Sequence, residues 1–556
     1  MKKWTDYFKD FCRDKRYVLI LALTAVCAYG FMVMHPTVGI DDTPYEYYFE
    51  EGLAAIVGRW VMFLLNKVVH VADFVPFITD FAGVLILMAA VTVWAVLFRS
   101  VFEDAIPWFG YLFFAAIFIS CPLISEVYTY YLHNGIAIGY FACGISLCCF
   151  REGLIRLEGQ DGKKILPKGP AMRAFLGAAV GMWIAMGCYE SFMIVWLQGL
   201  CLLLLTERFA GVRRRVFHSL CIGAVVAVLG MVLRSVMINL VTAVFGLEYL
   251  KDDAVQRSIT EMVTWLLEPG AMSELAMVLK RMFVKYGVFA YAYYPIKIFL
   301  LAMVVIGIFS LWRAIRKRDV WAFLLMAGGL AVPLLLVIIE CKDTYYRSAQ
   351  FLPLVCGYGA LILVYAVKER NVVRGLLVIA LSCILWNQCV DMNRWFYIDY
   401  KKYESAKDLV SKISYELDKN YDTSKPVIFT GNYDMPESII ADAYVPIDSE
   451  TYYKMKRITD LVDEHLLEKF HRTYGVRGAK GVWVAETPAL SVIDWARYAF
   501  GNDEEMVHFF AMHGYDIEPM LDESVYAGAE EYSLDLPEFP QEGSIVDMGE
   551  YIIVHL

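Results

Sequence analysis

The chain has 556 residues, of which 59% are hydrophobic and only 20% are charged, and its mean hydropathy is +0.49. Soluble domains are about 45–50% apolar and about 25% charged, so this composition excludes a purely soluble protein and indicates a membrane protein. The formal net charge is −10, and no basic aromatic patch indicates a nucleic-acid partner.

Apolar stretches long enough to cross a bilayer recur through the chain up to residue 390. A transmembrane helix needs about 20 apolar residues, because each helical residue rises about 1.5 Å and the hydrocarbon core is about 30 Å thick. The sequence therefore predicts a polytopic α-helical membrane body over residues 1–390. About eleven transmembrane helices are expected, at roughly 17–34, 80–98, 107–124, 134–150, 171–187, 190–206, 217–243, 290–312, 320–339, 350–367 and 373–390.

The distribution of Lys and Arg predicts the orientation of these helices. Six basic residues precede residue 17, and the alternate loops 151–173, 206–215, 313–319 and 368–374 are also basic. The intervening loops "SEVYTYYLHN" and "GCYES" contain neither Lys nor Arg. Because basic loops stay in the cytoplasm, the N-terminus is expected inside and residues 391–556 outside the plasma membrane. The first helix is expected to remain uncleaved.

Residues 391–556 have an ordinary soluble composition and are expected to form an extracytoplasmic α/β domain. The patterns predict helices near 403–419, 452–470 and 488–500, and strands at 426–431, 481–486, 544–549 and 550–556, the last two as a hairpin. All 13 cysteines lie at or before Cys389, so this part has no disulfide framework. No His/Cys cluster in the sequence indicates a metal site.

Four predicted outer loops bring carboxylates, bases and tyrosines to one level of the membrane. Each residue alone can be explained as an interfacial anchor or a solvated loop charge. Together they indicate a functional cavity, because charged groups near the bilayer are costly. Two of these residues are adjacent aspartates in the first loop. The set is Asp41, Asp42, Arg59, Glu126, Tyr130, His133, Tyr189, Glu190, Lys342, Tyr345 and Arg347.

Three of these stretches resemble the bacterial GtrII-like glucosyltransferases, integral membrane enzymes of the GT-C class. In "IDDTPYEYYFEEGLAAIVGRW", an Asp-Asp pair is followed about 16 residues later by Gly-Arg, as in the family's first outer loop. "SEVYTYYLHNGIAIGYFACGISL" and "YYRSAQFLPLVCGYGALILV" are similar to later loops with their helices, and Arg347 falls at the family's Arg position. Tyr189–Glu190 departs from the family's usual Tyr-Gln. The resemblance covers about residues 15–390.

The resemblance implies transfer of a hexose such as glucose from a polyprenyl phosphate to a cell-surface glycan on the outer face. The acceptor hydroxyl needs a general base, usually a carboxylate. Asp41 is slightly favoured as the base, and Asp42 would orient it or raise its pKa through like-charge proximity. The carboxylate pair could also hold a divalent cation, but no cofactor is required by the sequence.

The remaining residues are expected to bind the substrates. A guanidinium suits the lipid phosphate, because its planar fork binds two oxygens. The expected phosphate-binding residues are Arg59, Arg347 and Lys342. The expected sugar pocket is lined by Glu126, Tyr130, His133, Tyr189, Glu190 and Tyr345.

Two other functions fit the same composition. A lipid-linked glycan polymerase or ligase would depend more on basic residues in a large outer loop, such as residues 244–289. A flippase or transporter would more often show broken helices in paired halves, and no such halves are visible. It would also have little use for a large exported domain.

The predicted orientation can be tested by labelling Ser424→Cys, in a background without native cysteines, with a membrane-impermeant thiol reagent. We expect this cysteine to react in intact cells, because residues 391–556 should lie outside. Lys163→Cys, in a predicted cytoplasmic loop, is the control and should react only after lysis. Protection of Ser424→Cys in intact cells would overturn the orientation.

Overall fold

A computed structural model describes residues 3–38, 52–70, 77–128, 133–158, 169–247, 259–273, 275–276, 297–340, 348–431, 433–434, 494–495 and 503–556. The described chain is mostly helical. Its helices are Trp4–Arg13 (α1), Lys15–Met34 (α2), Leu53–Ile56 (α3), Trp60–Val69 (α4), Ile78–Phe102 (α5), Trp108–Ile119 (α6), Leu123–Tyr128 (α7), His133–Glu158 (α8), Pro170–Cys188 (α9), Phe192–Phe209 (α10), Val216–Phe245 (α11), Ile259–Leu267 (α12), Lys297–Arg316 (α13), Val320–Ala331 (α14), Leu334–Glu340 (α15), Phe351–Ala366 (α16), Asn371–Asn420 (α17), Asp503–Met512 (α18) and Glu523–Ser533 (α19).

Local sequence signals account for several helix ends. Asp14 begins α2 by accepting hydrogen bonds from the backbone of the first turn, which satisfies donors that have no partner inside the helix. Gly246 ends α11 in a left-handed conformation, which glycine adopts without a steric cost. Pro333 separates α14 from α15. Proline interrupts a helix because it lacks a backbone donor and clashes with the preceding turn.

Every apolar stretch predicted to cross the membrane overlaps a helix. Among the described residues, seven helices are long and apolar enough to cross a membrane: α2, α5 with its continuation to Ala105, α8 from Gly135, α9, α10, α11 and α17. These long apolar helices are compatible with a membrane protein. Helices α4, α6, α14 and α16 are apolar but shorter, so the total of eleven crossings stays a prediction.

The centre of the helical body is formed where α5, α8, α9 and α10 pack together. The buried indole of Trp94 donates to the backbone oxygen of Tyr140 at 3.0 Å. The indole of Trp196 donates to Ser146 Oγ at 2.7 Å, and that hydroxyl donates to the backbone of Ala178 at 2.6 Å. These bonds join α8 to its three neighbours, because buried polar groups must find partners.

Helix α17 runs without a break for 50 residues, or about 75 Å at 1.5 Å per residue. The predicted domain boundary at residue 390 lies inside it, and the predicted helix at 403–419 is its last part. The sequence from Leu376 to Asn420 contains no Gly or Pro, so nothing in the backbone ends the helix earlier.

A three-stranded sheet follows α17. Strand β1 (Val427–Thr430) pairs in parallel with the chain's last strand, Ile552–His555, which pairs antiparallel with Ile545–Asp547. The predicted strand at 426–431 and the hairpin at 544–556 are therefore present. A second pairing joins Tyr433–Asp434 to Asp494–Trp495, so the helix predicted at 488–500 is wrong at these two residues, whose backbone bonds to a strand instead. The segments 452–470 and 481–486 lie outside the described residues.

Ion pairs gather at the end of α10. Glu207, whose side chain is 1% exposed, accepts from Arg214 Nε at 2.5 Å and Nη2 at 2.9 Å. The carboxylate of Asp319 pairs with Arg208 at 2.8 Å and with Arg313 at 3.3 Å. These pairs tie α10 to the start of α11 and to α13 and α14.

Candidate functional site

The segment after Gly52 forms two short helices, α3 and α4, that lie against α9 and α11. Helix α4 has 10 residues and is about 15 Å long, half the hydrocarbon thickness. It is therefore too short to cross a bilayer, and none of the eleven predicted crossings includes it. Buried Ala54, Ala55, Met62 and Phe63 form a small core with Ile238 of α11.

This packing brings Arg59 to Tyr189 and Glu190, which lie in the turn between α9 and α10. Arg59 Nη2 lies 3.3 Å from Glu190 Oε1. The guanidinium carbon of Arg59 lies 4.2 Å from the centre of the Tyr189 ring, within the range of a cation–π contact. The Arg59 side chain is only 17% exposed, so the pair is partly withdrawn from water.

A third charged residue, Arg234 of α11, completes this cluster. Its Nη2 donates to the backbone oxygen of Val57 at 3.0 Å, and its Nε donates to the backbone oxygen of Met186 at 3.3 Å. Arg234 thus links the turn before α4 to the end of α9. We call Arg59, Tyr189, Glu190 and Arg234 the arginine–glutamate cluster.

Gly58 is required where the chain turns past Arg234. Its φ is +93°, a conformation that side chains rarely adopt, and a Cβ at this position would lie 1.8 Å from Arg234 Nη2. The Gly-Arg motif at residues 58–59 therefore has a physical explanation. Glycine lets the backbone approach one guanidinium, and the next residue supplies the other.

Two tryptophans border the cluster. The rings of Trp60 and Trp183 stack with centroids 4.8 Å apart, and a Cβ at Gly187 would lie 2.4 Å from the Trp60 ring. Four buried polar atoms here have no hydrogen-bond partner within the described part of the chain: Trp60 Nε1, Trp183 Nε1, Glu190 Oε2 and Ser191 Oγ. Because a buried polar group without a partner costs about 1–3 kcal/mol, these atoms are suited to bonding a bound molecule.

Glu190 is held in its ionised form. Burial raises the pKa of this carboxyl, but the positive charges of Arg59 and Arg234 outweigh that effect and hold the pKa below its ordinary value. A carboxylate with a lowered pKa takes up a proton poorly and is a weak general base near neutral pH. Glu190 therefore serves as the counter-charge of two arginines.

The other predicted site residues are placed only in part. Glu126 lies on α7 and His133 begins α8. Asp41, Asp42, Tyr130, Lys342, Tyr345 and Arg347 lie outside the described residues. Within the described segments, no group of three or more His, Cys, Asp or Glu could hold a metal ion.

The sequence prediction missed Arg234, Trp60 and Trp183. Arg234 had a usable signal, because it is the only Lys, Arg, Asp or Glu within Val216–Phe245, and a charge inside an apolar helix tends to mark a function. The tryptophans had no comparable signal, since aromatic residues are common in membrane helices and at their ends.

Comparison with known families gives one match. Residues 30–364, more than half of the chain, match the family model described as "Glucosyl transferase GtrII". The matched range contains all four members of the arginine–glutamate cluster. No curated protein and no solved structure matches the chain.

The role of Gly58 can be tested by comparing Gly58→Ala with Gly246→Ala. Both glycines have positive φ, at +93° and +69°, but a Cβ at Gly246 would meet nothing within 4 Å. Both variants should lose about 1–2 kcal/mol through backbone strain. Gly58→Ala should also displace the Arg234 guanidinium, so its melting temperature and activity should fall further. Equal losses in the two variants would contradict the close approach to Arg234.

Proposed function

This chain belongs to the glucosyl transferase GtrII family, and on that premise we propose that it moves glucose from a polyprenyl-phosphate donor to a cell-surface glycan. The observation that carries this proposal is the family match over residues 30–364. The family makes the protein a glycosyltransferase, with a sugar donor and a glycan acceptor. The lipid nature of the donor and the surface location of the acceptor are the proposed part.

We propose that the Asp41–Asp42 pair supplies the general base. Attack by an acceptor hydroxyl needs a group that takes its proton. The structure supports this assignment indirectly, because Glu190, the carboxylate that lies in the cluster, is committed to Arg59 and Arg234 and has a lowered pKa. Asp41 remains the first choice, with Asp42 orienting it.

We propose that arginines bind the donor phosphate. In the arginine–glutamate cluster two cations share one carboxylate, a charge pattern that a phosphate would complement. Arg347, with Lys342 nearby in sequence, is the stronger candidate for direct contact, because Arg59 already pairs with Glu190 at 3.3 Å. Arg59 would then attract the donor phosphate electrostatically without contacting it. The stacked tryptophans and the unpartnered polar atoms beside them would meet the sugar.

The proposed location of this reaction is the outer face. Two charged residues, Glu190 and Glu207, lie near the two ends of α10, 17 positions apart in sequence. That spacing corresponds to about 26 Å along a helix, close to the thickness of a hydrocarbon core. The Glu207 end coincides with basic loops expected in the cytoplasm, which supports an outer location for the Glu190 end and for residues 391–556.

The general base can be tested with Asp41→Asn, Asp42→Asn and the double variant. Loss of a general base should lower the turnover of polyprenyl-phosphate glucose about 10²–10⁴-fold, while the melting temperature and donor binding stay nearly unchanged. Turnover is measured with purified protein, with glycan extracted from the source cells as the acceptor. Normal turnover by the double variant would remove the aspartates from the mechanism.

The phosphate contacts can be tested with Arg347→Lys and Arg59→Lys. Lysine keeps the charge but cannot form the bidentate fork, so Arg347→Lys should raise the KM for the lipid donor. Arg59→Lys should have a smaller effect on KM and should weaken the contact with Tyr189. The control is Arg16→Lys, a cation that contacts the ring of Trp108 at 4.7 Å. Unchanged kinetics in both test variants, or losses fully explained by unfolding, would leave these arginines as structural partners.

A further inference from the structure

The arginine–glutamate cluster carries more positive than negative charge. Arg59 and Arg234 each contribute one positive charge and Glu190 contributes one negative charge, and these three groups act on one another electrostatically. Positive charges therefore outnumber negative charges by one within the cluster. An anion that comes close to it finds a favourable potential.

The two arginines are held in different ways. Arg234 donates to the backbone oxygens of Val57 and Met186 at 3.0 and 3.3 Å, so two carbonyls fix its guanidinium. Arg59 meets a carboxylate instead, with its Nη2 3.3 Å from Glu190 Oε1. Strong hydrogen bonds between ions are shorter, at about 2.7–2.9 Å. The Arg59–Glu190 contact is therefore loose, and another anion can compete with Glu190 for the charge of Arg59.

Glu190 differs in this respect from the buried carboxylate at the other end of α10. The Glu190 side chain is 32% exposed, and its Oε2 has no hydrogen-bond partner within the described part of the chain. Glu207 is 1% exposed and accepts two bonds from Arg214, at 2.5 and 2.9 Å. Glu207 thus has the geometry of a structural ion pair, whereas Glu190 is reachable by a ligand and only partly satisfied.

The proposed reaction changes the charge of the lipid phosphate. Transfer breaks the bond between the anomeric carbon of glucose and a phosphate oxygen, and it forms a bond from that carbon to the acceptor oxygen. The proton of the acceptor hydroxyl passes to the general base. The donor is a phosphodiester with one negative charge, but the departing lipid phosphate is a monoester with a charge of about −1.5 to −2 at pH 7. Because attraction grows with charge, two uncompensated arginines would hold the product more tightly than the donor.

We propose that Glu190 competes with the lipid phosphate for the positive charge of Arg59, and so limits how tightly the protein holds its phosphate product. This inference rests on the proposed function. Glu190 acts through Arg59 and not on the reacting atoms. It neutralises Arg59 before the donor arrives and again as the product leaves. Release of the product therefore does not leave an unpaired guanidinium beside the apolar helices, which would be costly.

Binding of farnesyl phosphate, a short-chain lipid phosphate, tests this role without turnover. Isothermal titration calorimetry on the full-length protein in detergent gives the Kd. Glu190→Gln keeps the shape of the side chain and removes its charge, so the Kd should fall about 10-fold at low salt and less at high salt. Farnesol, which lacks the phosphate, should bind the wild type and the variant equally. The matched control Glu207→Gln should lower the melting temperature and leave the Kd for farnesyl phosphate unchanged.

A double variant tests whether the gain in affinity passes through Arg59. Arg59→Gln should raise the Kd for farnesyl phosphate several-fold, and adding Glu190→Gln to it should change the Kd much less than in the wild type. An equal gain in both backgrounds, or an unchanged Kd in Glu190→Gln, would overturn the competition. If Glu190→Gln does not fold, Glu190→Asp replaces it, because the shorter side chain draws the charge back from Arg59. Its Kd should also fall, by a smaller factor, and an unchanged Kd would again overturn the proposal.

Steady-state kinetics measure the consequence for the reaction. In Glu190→Gln, the inhibition constant of the product polyprenyl phosphate should fall by a larger factor than the KM for polyprenyl-phosphate glucose, because the product has the larger charge. An unchanged inhibition constant would overturn the role in product release. If the wild type transfers no glucose, the proposed function fails, and the farnesyl phosphate comparison still decides whether Glu190 competes for Arg59.

Discussion

The structure depends on one constraint: each charged side chain that lies within or beside an apolar helix needs a polar or oppositely charged partner. Arg234 lies in a helix whose other residues include no Lys, Arg, Asp or Glu, and an unpaired guanidinium there would be costly. The chain resolves this cost with two backbone carbonyls and the nearby Glu190. Those contacts fix the turn before α4, and the turn fixes Arg59. The arrangement of the candidate site thus follows from the need to accommodate one arginine.

The same constraint acts at both ends of α10. Helix α10 has an apolar middle, with Glu190 just before its first residue and Glu207 near its last. Each carboxylate is met by arginines from other elements, so both ends of α10 are fixed to their neighbours. Removing one partner of the buried Arg214–Glu207 pair should cost about 3–5 kcal/mol, because both side chains are almost fully buried. The Arg59–Glu190 pair is more exposed and stabilises its end of the helix less. A rigid α10 in turn keeps Tyr189 and Glu190 in place beside Arg59.

The sequence predicted those parts of the fold that depend on simple periodicity or length. Apolar stretches located the helices, because a run of about 20 apolar residues leaves few alternatives. The two short apolar runs of "SIVDMGEYIIVHL", separated by Met-Gly-Glu, located the terminal hairpin. The sequence analysis did not predict that α17 continues past residue 390. The change from apolar to polar residues there resembles a domain boundary, but no Gly or Pro breaks the helix. The pairing of Asp494–Trp495 was also missed, because it depends on a partner about 60 residues away.

The sequence likewise predicted some residues of the candidate site but not their arrangement. Arg59, Tyr189 and Glu190 were chosen from two separate loops, and the structure brings them into contact. Their mutual geometry could not be read from the sequence, because it depends on Arg234 and on the approach that Gly58 allows. The burial of Val38 in one core with Tyr403 and Phe510 was missed for a similar reason. An apolar residue after an apolar helix carries no sign that it belongs to a distant core.

The central claim is that the protein glucosylates a cell-surface glycan. Mass spectrometry of surface glycans from source cells with and without the gene tests it most directly. The account predicts that the glycan loses one hexose, identified as glucose by composition analysis, when the gene is deleted, and regains it when the gene is restored. Identical glycans in the two strains, under conditions in which the protein is present in the wild-type membrane, would contradict it.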